Sequence, residues 1–374
     1  MKRLLSFLLI LTSLVSLLVP LCFSASAISL SAKSAILLDA AEGQVLYQKN
    51  AFVKLPMAST TKIMTAIVAI ESMPLSTEIE ISPDATGIEG SSIYLYPNEK
   101  LTMESLIYAL LLESANDAAT AIAIAVSGNV KDFAQKMNQK ATELGLTGTH
   151  FENPHGLDDE EHYTTAYDLA RLAAYALSND TFLNICSAYK KTIPLNGDDG
   201  VRVLVNHNKL LHMYEGTIGV KTGFTKKSGR CLVSAAKRNG LTLIAVTLNA
   251  PDDWNDHKVM LDFGFANYEH LVAKDVGEYE ISLPVVGGTS ASLKVKNSTA
   301  LAKTLNQDHG EITYLTEVPR FLYAPIKKGD TVGTVVCMCD GHVIASSDLI
   351  ATEDISGSKP KNLWAWLTSL FRRK

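Results

Sequence analysis

The sequence predicts an α+β fold followed by a small all-β domain. Three observations carry this prediction. Strand-like stretches at 35–39 and 44–48 precede a helical block, and two more at 231–237 and 241–248 follow it. Strands from the two ends of such a block can join one antiparallel sheet flanked by helices. From Gly277 to about Ile350 the texture changes to short alternating runs broken by turns, the pattern of a β-rich module.

The elements follow in chain order. Lys2-Arg3, an apolar stretch over 4–19 and Ala25-Ser26-Ala27 have the layout of a cleavable signal peptide, with an uncleaved anchor as the competing reading. Leu21 before Cys22 is too large for a lipoprotein site. After the first two strands, the apolar run 63–70 is long enough for a buried helix, with Ser59 at its entrance. Two more apolar helices are expected over 106–113 and 118–126, joined by Ser114-Ala115-Asn116-Asp117. An amphipathic helix near 130–144 should stop at Gly145. Asn239-Gly240 is a strong hairpin turn between the strands at 231–237 and 241–248. A helix over about 256–268 completes the block.

Later strands are expected at 280–283, 292–295, 312–315 and 331–336. A linker over 357–361 leads to a segment that places Leu363, Trp366, Leu367, Leu370 and Phe371 on one helical face and ends in Arg372-Arg373-Lys374. It falls short of the ~20 residues that span a bilayer. Its composition suits an amphipathic helix lying in the membrane interface, with docking on the protein itself as the competing reading. The expected organisation is a signal peptide at 1–27, a catalytic domain at 28–274, a β-rich domain at 275–352, and a linker and anchor at 353–374. The protein is therefore expected to be exported and held peripherally on the outer face of the cytoplasmic membrane.

Composition narrows the function. The chain has 374 residues and a formal charge of −5, which gives no case for nucleic-acid binding. Beyond residue 27 four cysteines remain: Cys186, Cys231, Cys337 and Cys339. Export would permit disulfides, but spacing does not fix their pairing. Cys337, Cys339 and His342 are the nearest approach to a metal set, and no zinc-enzyme spacing or H-E-x-x-H occurs. No metal or cofactor is expected.

Three short motifs carry the chemistry: Ser59-Thr60-Thr61-Lys62, Ser114-Ala115-Asn116 and Lys221-Thr222-Gly223. Residues three apart share a helical face, so Lys62 can reach the Ser59 hydroxyl. A lysine against so apolar a helix is costly while charged, and desolvation lowers its pKa. A neutral amine beside a hydroxyl is a general base. Ser114 and Asn116 lie between two helices, where they could line a cleft or merely cap the next helix. Lys221 and Thr222 can bind a carboxylate, and Gly223 leaves room for a substrate backbone. The plain readings set against these are a capping Ser59 and a solvated edge-strand Lys221.

Each motif also recurs elsewhere. Ser187–Lys190, Ser234–Lys237 and Ser356–Lys359 repeat the first, Ser127-Gly128-Asn129 the second, and Lys227-Ser228-Gly229 nearly repeats the third. None sits at the mouth of a buried helix.

Taken in order, the motifs resemble the S-x-x-K, S-x-N and K-T-G set of serine β-lactamases and penicillin-binding proteins. Flanking stretches narrow this to D-alanyl-D-alanine carboxypeptidases of the low-molecular-mass penicillin-binding type. They are Ala35-Ile36-Leu37-Leu38-Asp39, Asn153-Pro154-His155-Gly156-Leu157, Thr165-Ala166-Tyr167-Asp168-Leu169-Ala170 and Asn206-His207-Asn208-Lys209-Leu210-Leu211. The resemblance implies a β-lactamase/transpeptidase-like catalytic domain that removes the terminal D-alanine from peptidoglycan stem peptides. It implies Ser59 as nucleophile, Lys62 as base, and Ser114 and Asn116 as proton relay and peptide clamp. Lys221, Thr222 and Gly223 would bind substrate, and the backbone N–H groups of Ser59 and Phe224 would form the oxyanion hole. β-Lactams would acylate the same serine. A class A β-lactamase is the nearest rival, but its Glu-x-x-x-Asn motif has no counterpart here, so deacylation should be slow. An endopeptidase or a transpeptidase would use the same acyl-enzyme, and a non-catalytic cell-wall binder would keep the fold without the chemistry.

Overall fold

The computed structural model describes residues 28–195 and 200–358. The expected signal peptide and the expected C-terminal amphipathic helix lie outside the described residues.

Five antiparallel strands form the main sheet, in the order Val45–Lys49, Ser34–Asp39, Leu241–Leu248, Gly229–Arg238, Thr217–Thr225. The two ends of the first region do meet in one sheet: Ile36 pairs with Val246, and Val246 with Val233. Successive side chains point to opposite faces of a strand. Ile36, Leu38, Ile244 and Val246 face the helical core. Leu37 and Leu243 face the helix Asp253–Asn267, where a side chain at Gly264 would put its Cβ 2.4 Å from Leu243. That helix starts a turn earlier than its sequence predicts, and Asp253 in its first turn pairs with Arg230 at 2.9 Å.

The helix Lys62–Ser72 runs through the middle of the helical block. It contacts Met103–Leu112, Asn116–Ser127 and Ala166–Leu177. Ile63, Met64, Ala66 and Ile67 are fully buried, as the apolar run of a central helix must be. Burying each of the larger side chains is worth about 1.5–3 kcal/mol. The amphipathic helix Val130–Glu143 is capped by Asn129, whose Oδ1 accepts the Asp132 N–H at 2.8 Å. Gly145 ends it in the left-handed region at φ 67°, a conformation that favours glycine.

The C-terminal region is a six-stranded sheet in the order Ile312–Glu317, Thr331–Cys339, His342–Ala351, Ser292–Asn297, Glu280–Val286, Leu322–Tyr323. Its small core gathers Leu283, Leu293, Val295, Val335, Cys337 and Leu349. The strands His342–Ala351 and Leu301–Asn306 are not among those the sequence predicts. Ser346-Ser347-Asp348 interrupts the apolar alternation of the first, and its place is set by ladders to both neighbours. Leu301–Asn306 pairs with Tyr268–Lys274, the strand leaving the last helix of the block. Lys303 pairs with Glu42, and Thr304 Oγ1 donates to Asp39 at 3.1 Å, tying this region to the turn after the first strand. All four cysteines in the described residues are free thiols, and no metal-ligating cluster occurs among the described residues.

Candidate active site

Ser59 does not cap a helix. It lies in the 3-10 turn Ala58–Thr61, immediately before the helix Lys62–Ser72, whose N-cap is Thr61. Ala58 enters the turn at φ 47°, in the left-handed region that a β-carbon disfavours by roughly 1–2 kcal/mol. One turn on, Lys62 is fully buried. Its Nζ donates to Ser59 Oγ at 3.0 Å, to Asn116 Oδ1 at 2.7 Å and to the His155 carbonyl at 2.6 Å.

Burial strips water from this amine and the nearby Lys221 charge repels its proton, so its pKa is held well below the usual lysine value. Asp117 pulls weakly the other way. In the neutral form that the low-dielectric surroundings favour, the amine keeps two N–H donors for Asn116 and the His155 carbonyl and turns its lone pair to the Ser59 hydroxyl.

The second motif sits at the joint between Met103–Leu112 and Asn116–Ser127. Ser114 is nearly buried at φ 60° and lines the cleft. Neither Ser114 nor Asn116 caps the following helix, whose N-cap is Ala115. The Asn116 side chain spans two partners, accepting from Lys62 and donating to the Glu89 carbonyl at 2.6 Å. Asp117 is buried and structural. Its carboxylate accepts the Ser92 hydroxyl at 2.6 Å and the Ile93 and Leu95 N–H groups at 3.3 and 3.1 Å, pinning the loop that carries Ser91 to the cleft.

The third motif lies on Thr217–Thr225, the edge strand of the main sheet. Lys221 is only 1% exposed, which excludes a solvated edge charge. Its Nζ donates to the Thr222 carbonyl at 3.0 Å, and burial lowers its pKa to about 7, opposed by Glu113. Thr222, Gly223 and Phe224 line the cleft. A side chain at Gly223 would set its Cβ 3.0 Å from the Ser59 backbone nitrogen. Only glycine lets this strand pass so close to the nucleophile turn.

The cleft has a volume of about 350 Å³, and Ser59 and Ser114 share it with Thr222, Gly223 and Phe224. The three motifs therefore converge as the sequence predicts. The repeated motifs do not. Ser187 ends the helix Asp180–Ser187 and bonds its own Asn184 carbonyl at 3.3 Å. Ser234 is buried against His257 Nδ1 at 2.5 Å. Asn129 caps a helix, and Ser228 closes a hairpin turn by accepting the Thr225 N–H at 3.0 Å. Lys359 lies outside the described residues.

Sequence reasoning missed the basic wall of the cleft. Arg230 reaches it from the strand Gly229–Arg238, opposite Phe224, with its Nε on Asp253 and its guanidinium 5.7 Å from the Trp254 ring. Counting back across the turn at 226–228 would have paired Arg230 with Phe224. His207 and Lys209 also line the cleft, and His207 Nε2 is 3.1 Å from Glu113 Oε2.

The segment 152–162 has no chemical motif of its own, yet it clamps the nucleophile turn. The His155 carbonyl takes Lys62, the Pro154 carbonyl takes Thr65 Oγ1 at 2.6 Å, and His162 Nε2 lies 2.7 Å from Thr61 Oγ1. Asp158 accepts Thr225 Oγ1 at 2.8 Å, which fastens the same segment to the third-motif strand.

Comparison with known proteins identifies the family. Residues 22–252 match the D-alanyl-D-alanine carboxypeptidase family, and residues 277–356 match the penicillin-binding protein 5 C-terminal domain. The chain is 35% identical over 371 residues to the D-alanyl-D-alanine carboxypeptidase DacF of Bacillus subtilis, covering 95% of both chains. It superposes on penicillin binding protein 5 from Haemophilus influenzae with a TM-score of 0.72 at 29% identity, covering 88% of this chain and 99% of that one. A Streptomyces K15 DD-transpeptidase matches at 32% identity and a TM-score of 0.62, over 64% of this chain and all of that one (100%).

Proposed function

The chain belongs to the D-alanyl-D-alanine carboxypeptidase family, and from that premise we propose how its residues carry out the reaction. The protein is a serine hydrolase that removes C-terminal D-alanine. Ser59 attacks the carbonyl of the penultimate D-alanine while Lys62 takes its proton. The observation that carries this reading is the buried Lys62 amine, 3.0 Å from Ser59 Oγ and depressed in pKa. A base must be close and must be unprotonated near neutral pH, and burial supplies the second condition.

The tetrahedral oxyanion is met by the backbone N–H groups of Ser59 and Phe224, beside the N-terminal end of the Lys62–Ser72 helix. Asn116 holds the scissile amide, and Ser114 relays the proton to the leaving D-alanine. Lys221 is buried behind Thr222, with its Nζ on the Thr222 carbonyl. It acts on the terminal carboxylate through field, while Thr222 offers the direct hydrogen bond. Water then hydrolyses the acyl-enzyme with Lys62 as base once more. β-Lactams acylate Ser59 by the same route and leave slowly.

The substrate is the pentapeptide stem of peptidoglycan. Export and peripheral attachment through 362–374 rest on the sequence pattern of the two ends. Deleting 357–374 should move the enzyme to the soluble fraction with its activity intact, and unchanged membrane association would refute the anchor.

Incubating the purified protein with a peptide ending in D-Ala-D-Ala should release D-alanine, and penicillin should label Ser59. Ser59→Ala should do neither. The likeness to a DD-transpeptidase supports one second reading, transfer of the acyl group to an amine. Added amino acceptor would then yield a crosslinked product at the expense of hydrolysis.

A further inference from the structure

One ring beside the nucleophile has no part in the chemistry above. His162 is 3% exposed and lies under the turn Ala58–Thr61. Its Nδ1 accepts the Glu152 backbone N–H at 3.0 Å. A nitrogen that accepts an N–H carries no proton, so in the neutral ring the proton is on Nε2. Burial holds the ring neutral at ordinary pH, with a pKa lowered to about 4. Nε2 lies 2.7 Å from Thr61 Oγ1 and donates to it. The Thr61 hydroxyl in turn donates to the Ala58 carbonyl at 2.8 Å.

That carbonyl belongs to the peptide unit whose other end is the Ser59 N–H. A trans peptide is planar, and its C=O and N–H point in opposite directions. Holding the Ala58 carbonyl from below therefore aims the Ser59 N–H the other way. The turn has no intrinsic reason to keep that orientation, because Ala58 sits at φ 47°.

Two glycines close on the same peptide unit. A side chain at Gly156 would put its Cβ 2.0 Å from the Ala58 oxygen, and one at Gly223 would put it 3.0 Å from the Ser59 nitrogen. The unit is gripped on its carbonyl side and kept clear on its N–H side. Hydrogen bonds in series also polarise one another, so a donor on the carbonyl makes the N–H at the far end a stronger donor.

We propose that His162 and Thr61 form a positioning relay that orients and polarises the Ser59 N–H as an oxyanion donor. The relay rests on Ser59 being the nucleophile of the carboxypeptidase reaction. Neither residue touches substrate. Their effect should appear where negative charge develops on the substrate oxygen and not in ground-state binding.

A matched pair of acyl-D-alanine esters, differing only in C=O or C=S at the reacting carbon, tests it. Sulfur is a poor hydrogen-bond acceptor, so the rate ratio of the oxygen ester to the thiono ester reports the oxyanion hole. His162→Leu and Thr61→Val should each lower kcat on the oxygen ester by about tenfold, leave KM within about twofold, and shrink the ratio by a similar factor. His162→Gln should recover most of the loss, since its amide can accept from Glu152 and donate to Thr61. Thr61→Ser, which keeps the hydroxyl, should behave as wild type.

Equal losses on both esters, a loss confined to KM, or no loss at all would overturn the relay. So would nitrogen NMR of the wild type with the His162 proton on Nδ1, a measurement that needs no variant to fold. Wild type that turns over neither ester would sink the carboxypeptidase reading, and the relay with it. An active wild type with an unmoved ratio in the variants would sink the relay alone.

Discussion

Lys62 and Lys294 are the same residue type in opposite surroundings. Lys62, in the helical block, is fully buried, with neutral acceptors around its amine and Lys221 nearby. Lys294, on the C-terminal sheet, is exposed and lies 2.7 Å from Glu280. Burial drives the first pKa down, and the carboxylate partner drives the second up. A lysine becomes a base only where water is removed and no carboxylate replaces it. The first region concentrates such costs in one cleft. The second spends its charges on solvated pairs, which add little to stability.

The largest effect that would break this contrast lies at the cleft. Ser59→Ala should abolish penicillin labelling, and Lys62→Ala should cut the acylation rate roughly 10³-fold, within the range for loss of a general base. Lys62→Arg should do no better than alanine, because a guanidinium keeps its proton. Stopped-flow acylation measures all three. A Lys62→Arg enzyme that still acylates would show that burial of the amine is not the source of the base.

The two lysines of the cleft should also titrate in opposite senses. Lys62 must lose its proton to act, so acylation should slow as pH falls through its lowered pKa. Lys221 must keep its proton to attract the carboxylate, so KM should rise as pH climbs past about 7. The profile of kcat/KM against pH should be bell-shaped. Lys221→Arg should flatten its alkaline limb.

Stability gives a third test. His162 and His257 are buried and His155 is half-buried, and desolvation lowers their pKa values to about 4, 3 and 3. Unfolding returns them to the usual value near 6.5, where they bind protons more readily than the native state does. Their contribution is complete above pH 6.5 and is lost as pH falls from there toward 3. Each can remove up to about 1.4 kcal/mol per pH unit in that window. Denaturant midpoints from pH 7 to 4 measure the loss. Replacing His257, whose ring meets the Ser234 and Thr247 hydroxyls away from the cleft, with Gln should reduce the slope without changing acylation.

The C-terminal region should respond only in stability. Leu349→Ala removes a fully buried side chain and should cost about 2–5 kcal/mol, with kcat/KM on a soluble peptide within about twofold of wild type. Smallest of all, Glu280→Gln should leave both melting temperature and activity unchanged, since the pair it breaks is solvated. A clear loss of activity in either variant would show that the C-terminal sheet supports the cleft.

Much of this was legible in the residues. The apolar run after Ser59 announced a buried helix, and a buried helix beginning with lysine announced a perturbed amine. Asn239-Gly240 announced the hairpin of the main sheet, and alternation announced the β-rich region. These signals are local: spacing, propensity and the cost of burying charge act within a few residues, so the order of letters is enough.

The tertiary structure decided what distance along the chain conceals. It showed that Lys221 is buried, that Arg230 forms a wall beside Phe224, and that Asp117 pins a loop while its neighbour Asn116 holds the amine. It also joined His162 to Thr61, 101 residues apart, and through Thr61 to the carbonyl before the nucleophile. A hydrogen bond depends on direction and a few tenths of an ångström, and packing sets both.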